Sequence, residues 1–273
     1  MLELLKRLPG GVVLDLGCGS GTFDAAGFPG IVVRLDLERH PDSTVSNFIQ
    51  ADAAKLPFVA SQFDLLISNN SLEHVDDLES ALREVGRVIK PSGALYVAVP
   101  DAGTLCDRLY RWLARGGGHV NPFLSAKEFA SQVAHATGLA HVATRTLCTS
   151  FSFLNRRNRR TRGPRRLLLL GGGTQTSLLL ASYFLRQFDR WLGTRSTVYG
   201  WAFYFGNVDS RLVDQQAWTN VCIRCGAGHR SDWLRDQNLV ERLVGLQSYW
   251  CPCCETRNMF TEDGEYRHFD AGA

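Results

Sequence analysis

The stretch Val12-Val13-Leu14-Asp15-Leu16-Gly17-Cys18-Gly19-Ser20-Gly21-Thr22 constrains the fold more than any other part of the chain. Apolar, partly β-branched residues lead into a carboxylate and then three glycines at alternate positions. The pattern predicts a buried parallel strand that enters a tight turn ahead of a helix. Gly17, Gly19 and Gly21 have no Cβ, so the backbone there can take positive φ and come close to a ligand, while the following helix would offer unpaired N–H groups. The spacing is G-x-G-x-G, not the G-x-G-x-x-G of dinucleotide sites, which favours a nucleotide-like ligand without phosphates.

Four further strands follow in the same alternation. Ile31 to Asp36 reads as a strand ending in an acid about 20 residues beyond Asp15, the distance at which a βαβ unit delivers a carboxylate to ribose hydroxyls. Thr22 to Gly27 leaves room for only a brief helix between the two strands. Phe48 to Gln50 leads to Asp52 and Ala53, and Phe63 to Asn69 is a fourth strand with a polar exit. Leu78, Leu82, Val85 and Ile89 recur at helical spacing after Glu73-His74. Lys90 to Gly93 reads as a loop and Ala94 to Val99 as the fifth strand. The expected fold is α/β: a doubly wound parallel sheet with its ligands at the C-terminal strand edges, where the glycine turn, Asp36, Asp52 and Asn69 all fall.

A chain of 273 residues with 45% hydrophobic composition is long enough to bury this core and to carry a second small module. The expected division is 1–206 for the sheet domain, with an insertion at about 150–198, and 207–273 for the module. The N-terminal residues lack the basic start and unbroken apolar run of a secretion signal, and no segment has about 18 consecutive apolar residues, so a cytoplasmic location is the default expectation.

VLDLGCGSGTF, the Leu-Asp at 35 and 36, ADAAKLPF, FDLLISNNSLEHV and EVGRVIKPSGALYVAVP, in this order, resemble the type 11 group of class I S-adenosylmethionine (SAM) dependent methyltransferases over about residues 10–148. The resemblance implies a doubly wound, mostly parallel, seven-stranded Rossmann-like sheet, SAM as cofactor and, in that family, an acid and its neighbour at the third strand that meet the adenine amino group, here Asp52 and Ala53. The predicted cofactor-binding set is Asp15, Gly17, Cys18, Gly19, Gly21, Asp36, Leu37, Asp52, Ala53 and Asn69.

Methyl transfer from a sulfonium needs alignment and desolvation, and a hydroxyl acceptor also needs a proton acceptor. His74 is the first candidate base and His119 the second, each weighed against a capping or surface histidine. The exit Ser68-Asn69-Asn70-Ser71 lacks an Asn-Pro-Pro-Tyr clamp for planar amines, which leaves oxygen or carbon of a small-molecule, saccharide or lipid-linked acceptor.

Ser125 to Glu128 is a capping box that opens a helix through His135, followed by a sixth strand over Leu139 to Leu147; the antiparallel seventh strand that the resemblance implies is best matched by Tyr199 to Phe205. Between these last two lies an insertion with Arg156, Arg157, Arg159, Arg160, Arg162, Arg165 and Arg166, then Leu167 to Leu170, then a helix over Leu178 to Leu192. Arginine forks beside leucines suit a peripheral anionic membrane contact. RNA bound through its phosphates, in an RNA methyltransferase, is the second reading, and a solvated loop the bland one. A SAM-binding scaffold without catalysis is the non-enzymatic alternative.

Cys222-x-x-Cys225 and Cys251-x-x-Cys254 give two C-x2-C pairs separated by 25 residues. Each pair puts two thiolates on one turn, and two such turns complete an S4 tetrahedron suited to a structural Zn²⁺. The segment resembles a zinc ribbon. Cys253 competes with Cys254 for the fourth place, and His229 is a less favoured ligand.

Overall fold

The computed structural model describes residues 1–8, 10–40, 46–113, 118–155, 175–243 and 245–263. The seven arginines at 156–166 and Leu167 to Leu170 lie outside the described residues.

Strands β1 (Val12–Leu16), β2 (Ile31–Asp36), β3 (Phe48–Gln50), β4 (Phe63–Asn69), β5 (Ile89–Pro100), β6 (His141–Cys148) and β7 (Val198–Gly206) form one sheet in the order β3-β2-β1-β4-β5-β7-β6. β1 pairs in parallel with β2, Val13 opposite Val32, and with β4, Val13 opposite Leu65. The β2–β3 and β4–β5 pairs are parallel too. Chain order reverses at the β1/β4 pair, and the crevice beyond the C-terminal ends of such strands is where open α/β sheets bind ligands.

β7 runs antiparallel to both neighbours. On the β5 side the Asp101 N–H donates to Tyr199 O and the Asn207 N–H to Gly93 O. On the β6 side the Gly206 N–H donates to Ala140 O and the Thr149 N–H to Thr197 O. The sum of paired positions is constant on each side, as antiparallel register requires.

The central strands are apolar on both faces because helices cover them. Leu14, Leu66, Leu95 and Val97 are fully buried in one cluster with Leu82, Val85 and Val88 of α2 (Leu78–Val88) and with Phe129 and Val133 of α4 (Ala126–Thr137). Asp77 caps α2 by accepting from the Ser80 N–H, and Ser125 caps α4 by accepting from the Glu128 N–H, as the capping box predicts. Gly138, at φ 72°, ends α4.

Two expectations need correction. No helix forms over Thr22 to Gly27; these residues are turns and bends. So short a segment is costly to nucleate, and its flanking glycines raise that cost further. Lys90 to Gly93 is not a loop between helix and strand but part of β5, which begins at Ile89 opposite Phe63 and passes an irregularity between Phe63 and Leu65.

By contacts the chain forms two compact units. One comprises Met1–Pro100, His119–Arg145 and Trp201–Gln215; the other comprises Asp101–Gly118, Thr146–Gly200 and Gln216–Ala273. In the second, α3 (Leu105–Leu113) and α5 (Gln175–Leu192) share a cluster in which Cys106, Leu113, Phe153, Leu178 and Ile223 are buried. The cysteine-rich part adds the β8–β9 pair (Asn220–Val221 with Gly228–His229), α6 (Ser231–Asp236) and an antiparallel sheet of β10 (Val240–Leu243), β11 (Leu246–Trp250) and β12 (Arg257–Met259).

Candidate functional site

The turn after β1 is built by backbone hydrogen bonds. The Gly17 and Cys18 N–H groups both donate to Leu35 O, at 2.8 and 3.1 Å, and the Gly21 N–H donates to Cys18 O. Gly17, Gly19 and Gly21 have φ of 70°, 50° and 110°, so each glycine meets a backbone need. Their surroundings differ. A Cβ on Gly17 would lie 2.1 Å from the Ser71 Cβ, whereas one on Gly19 would meet nothing within 4 Å. Gly17 therefore lets the β4 exit close on β1, and Gly19 faces open space. Ser71 Oγ completes that closure by donating to Leu16 O at 3.1 Å and sharing a 2.6 Å hydrogen bond with Ser68 Oγ.

Asp36 sits at the end of β2, with Oδ2 accepting from the Gly19 N–H and Oδ1 from the Leu37 N–H, both at 2.8 Å. Each oxygen keeps a second lone pair, enough for two vicinal hydroxyls. Asp15 is fully buried. Its Oδ2 accepts from Arg34 Nη1 at 3.0 Å and from the Thr22 N–H at 3.1 Å, while Oδ1 has no hydrogen-bond partner among the described residues. Burial, the dominant influence, raises the Asp15 carboxyl above its ordinary value, against the hydrogen bond from Thr22 and the charge of Arg34. The Cys18 thiol is pushed up to about 12 by burial and by the neighbouring carboxylates, which keeps it neutral and poorly nucleophilic.

The remaining predicted contacts lie along the same edge. Asp52 is exposed just beyond β3 and turns the chain by accepting from the Ala54 N–H at 2.9 Å, with Ala53 beside it. Asn69 ends β4 opposite Ala98, and Leu37 is an exposed apolar side chain directly after Asp36. An orphaned buried carboxylate oxygen, an open glycine and an acid whose oxygens each keep a second lone pair, on adjacent strand ends, fit a ribose-bearing ligand with a polar, phosphate-free tail.

His74 and His119 are far apart in sequence, yet their rings lie edge to face with centroids 4.9 Å apart. With Glu73, a buried acid, they form one group whose ligand-type atoms lie within 4.8 Å of one another. The contact is backbone-driven. The Val120 and Asn121 N–H groups donate to Glu73 O at 2.8 and 3.1 Å. Asn121 Nδ2 donates to Leu72 O and Val75 O, at 3.0 and 2.6 Å.

Sequence reasoning missed Arg34, Ser71 and Asn121. Only Arg34 left a signal: a lone cation inside the apolar run Ile31 to Asp36 has to find a buried anion. Ser71 and Asn121 act through contacts that periodicity does not report.

In the second unit, Cys222, Cys225, Cys251 and Cys254 bring their sulfurs within 4.8 Å of one another, and the Cys222–Cys254 and Cys225–Cys251 pairs are each 3.6 Å apart. Zn–S bonds of about 2.3 Å give a tetrahedron with edges of about 3.8 Å. Disulfide sulfurs would lie at about 2.05 Å. The Cys222 sulfur also accepts from the Arg224 N–H at 3.4 Å and from Asn258 Nδ2 at 3.5 Å, donors suited to a thiolate. The donor set fits Zn²⁺. Cys253 is exposed and groups with His229 and Cys251 instead; His229 Nε2 lies 3.5 Å from Cys251 Sγ.

Residues 14–97 match a family model described as a methyltransferase domain. This segment is similar to that family's domain. It contains the glycine turn, Asp36, Asp52 and Asn69, and the match supports SAM as cofactor. The chain is 30% identical over 161 residues to a malonyl-[acyl-carrier protein] O-methyltransferase of Enterobacter lignolyticus, covering 55% of this chain and 63% of that one. It is 29% identical over 141 residues to the mitochondrial arginine-hydroxylase NDUFAF5 of Danio rerio, covering 46% and 44%. The alignments thus span between about two fifths and two thirds of these relatives' lengths. The crystal structure of the Bacillus subtilis YcgJ protein shares the fold, with TM-score 0.50 and 19% identity, over 77% of this chain and 97% of that one.

Proposed function

We propose that the protein is a SAM-dependent methyltransferase acting on oxygen or carbon of a small-molecule, saccharide or lipid-linked acceptor. The observation that carries this reading is the convergence of the open Gly19 turn, the Asp36 carboxylate and the buried Asp15 on neighbouring strand ends of a segment similar to the methyltransferase domain. SAM supplies an electrophilic methyl group on a sulfonium sulfur.

The chain's own residues have three duties. Asp36 accepts hydrogen bonds from the ribose hydroxyls, and Asp52 with the Ala53 backbone meets the adenine edge. The glycine turn lets the donor lie against bare backbone and so excludes water from it. His74, with Glu73 beside it, is assigned as the base that takes the acceptor's proton onto an imidazole nitrogen, and His119 is the alternative within the same cluster. Four cysteine ligands leave no open position, so the Zn²⁺ assigned to Cys222, Cys225, Cys251 and Cys254 is structural.

The relatives differ in reaction, one named as a methyltransferase and one as a hydroxylase, so turnover must be measured directly. Calorimetric titration with SAM should show binding that Asp36→Ala weakens at least about tenfold, the loss of one charge-assisted hydrogen-bonding group. Mass spectrometry of extracts incubated with protein and methyl-labelled SAM should show a metabolite gaining one label. No SAM uptake refutes the proposal. Uptake without transfer to any extract component leaves a SAM-binding scaffold in its place.

A further inference from the structure

Helix α5 is built the wrong way round for a helix that borders water. Its outer face carries Leu180, Phe184, Phe188, Trp191 and Leu192, with Phe184 63%, Phe188 50% and Trp191 82% exposed. At 100° per residue these five fall on one side, and no charged residue interrupts them. The charged residues Arg186 and Asp189 point inward and are buried.

The inversion is locked. Asp189 Oδ1 accepts from Thr194 Oγ1 and the Ser196 N–H at 2.5 and 2.8 Å, and Oδ2 accepts from the Thr197 N–H and Oγ1 at 2.7 and 2.6 Å. Arg186 Nη2 donates to Val221 O at 3.2 Å, and Ser182 Oγ donates to Ser150 O at 2.9 Å. Turning the helix to hide its aromatics would break every one of these bonds and strand a carboxylate and a guanidinium. The apolar face is therefore held outward by satisfied polar contacts, which is the arrangement a binding surface needs.

Charge selects what covers it. Between Glu128 and Asp189 the sequence has no acidic residue in 60 positions and has nine arginines, seven of them within 156–166, N-terminal to α5. A second copy would add an equally cationic stretch of sequence and no acidic one to balance it. An anionic lipid surface instead neutralises these arginines while its acyl boundary takes up leucine, phenylalanine and tryptophan. At about 27 Å long, an 18-residue helix of this kind lies in the plane of the interface. No helix among the described residues is long and apolar enough to cross a membrane.

We infer that α5 is an in-plane anchor through which the protein docks on an anionic bilayer, with Leu180, Phe184, Phe188, Trp191 and Leu192 entering the headgroup boundary. The inference does not depend on the methyl acceptor, and its test does not involve SAM.

The test uses the full chain with vesicles of phosphatidylcholine alone or mixed with phosphatidylglycerol. Wild type floats with the mixed vesicles, and Trp191 emission shifts to the blue and is quenched by brominated lipid; Trp191→Phe floats equally but loses that component of the signal. Phe184→Ser/Phe188→Ser/Trp191→Ser lowers partitioning by at least about tenfold while zinc content and far-ultraviolet dichroism stay as in wild type. Failure of wild type to float overturns the inference, as does unchanged flotation of the triple variant. A wild-type dimer that the same substitutions dissolve assigns the face to a second copy instead. RNA binding weakened by those substitutions, without vesicle binding, assigns it to nucleic acid. If the triple variant folds poorly, depth quenching of Trp191 in wild type decides: no quenching refutes insertion.

Discussion

Replacing Arg34 by methionine tests how the ligand turn is held in place without a helix behind it. Arg34 Nη1 lies 3.0 Å from Asp15 Oδ2, with side chains 7% and 0% exposed, and its Nη2 donates to Phe23 O at 3.0 Å. One guanidinium thus ties β1, β2 and the loop between them. Arg34→Met leaves the Asp15 Oδ2 with the Thr22 N–H as its remaining partner. Stranding one member of a buried pair costs about 3–5 kcal/mol. The penalty has a pH signature. Burial already raises the Asp15 carboxyl, and Thr22 and Arg34 oppose that rise. A carboxyl raised in the folded state binds its proton more tightly there, so its contribution to stability is full at low pH and is lost as pH climbs through the raised value. Without Arg34 that value rises further, and the destabilisation is larger at about pH 8 than at about pH 5. Asp15→Asn combined with Arg34→Met removes both charges and should recover the stability to within about 1 kcal/mol of wild type. Thermal and urea unfolding of the four proteins at both pH values gives the cycle. A single-variant cost below about 1 kcal/mol, or a penalty that grows on acidification, refutes the reasoning.

Gly17→Ala should cost about 1–3 kcal/mol and abolish SAM uptake, because its methyl would lie 2.1 Å from Ser71 Cβ at φ 70°; Ser71→Gly in the same chain should restore part of both, read by calorimetry. Cys222→Ser should lower zinc from one equivalent per chain and unfold the cysteine-rich part, since structural zinc contributes about 10–16 kcal/mol in small modules; full occupancy by elemental analysis would count against the S4 site. Asn121→Ala removes the donor to Leu72 O and Val75 O and should cost about 1–3 kcal/mol. With His119 no longer held beside His74, methyl transfer should fall while SAM affinity stays constant, and a parallel loss of both would show that the loop serves donor binding.

The local rules were legible in the sequence. Apolar runs set the strands and the capping box at Ser125 to Glu128 set the start of α4, because each depends on neighbours close along the chain. Long-range pairings were not. That His74 meets His119, that Ser71 closes on Gly17 and that Arg34 neutralises Asp15 depends on which segments the sheet order brings side by side.

The amino-acid sequence by itself determined the parallel strand-and-helix alternation, the glycine turn after β1, and the two cysteine pairs, since hydrophobic periodicity and ligand spacing are one-dimensional properties. Tertiary structure alone decided which face of α5 points outward. Helical periodicity separates aromatics from Arg186 and Asp189 but does not say which group turns in, and the four bonds to Asp189 settle that in favour of the charges. A satisfied buried carboxylate outweighs the exposure of a few aromatic rings, and that balance exists only once the chain has folded.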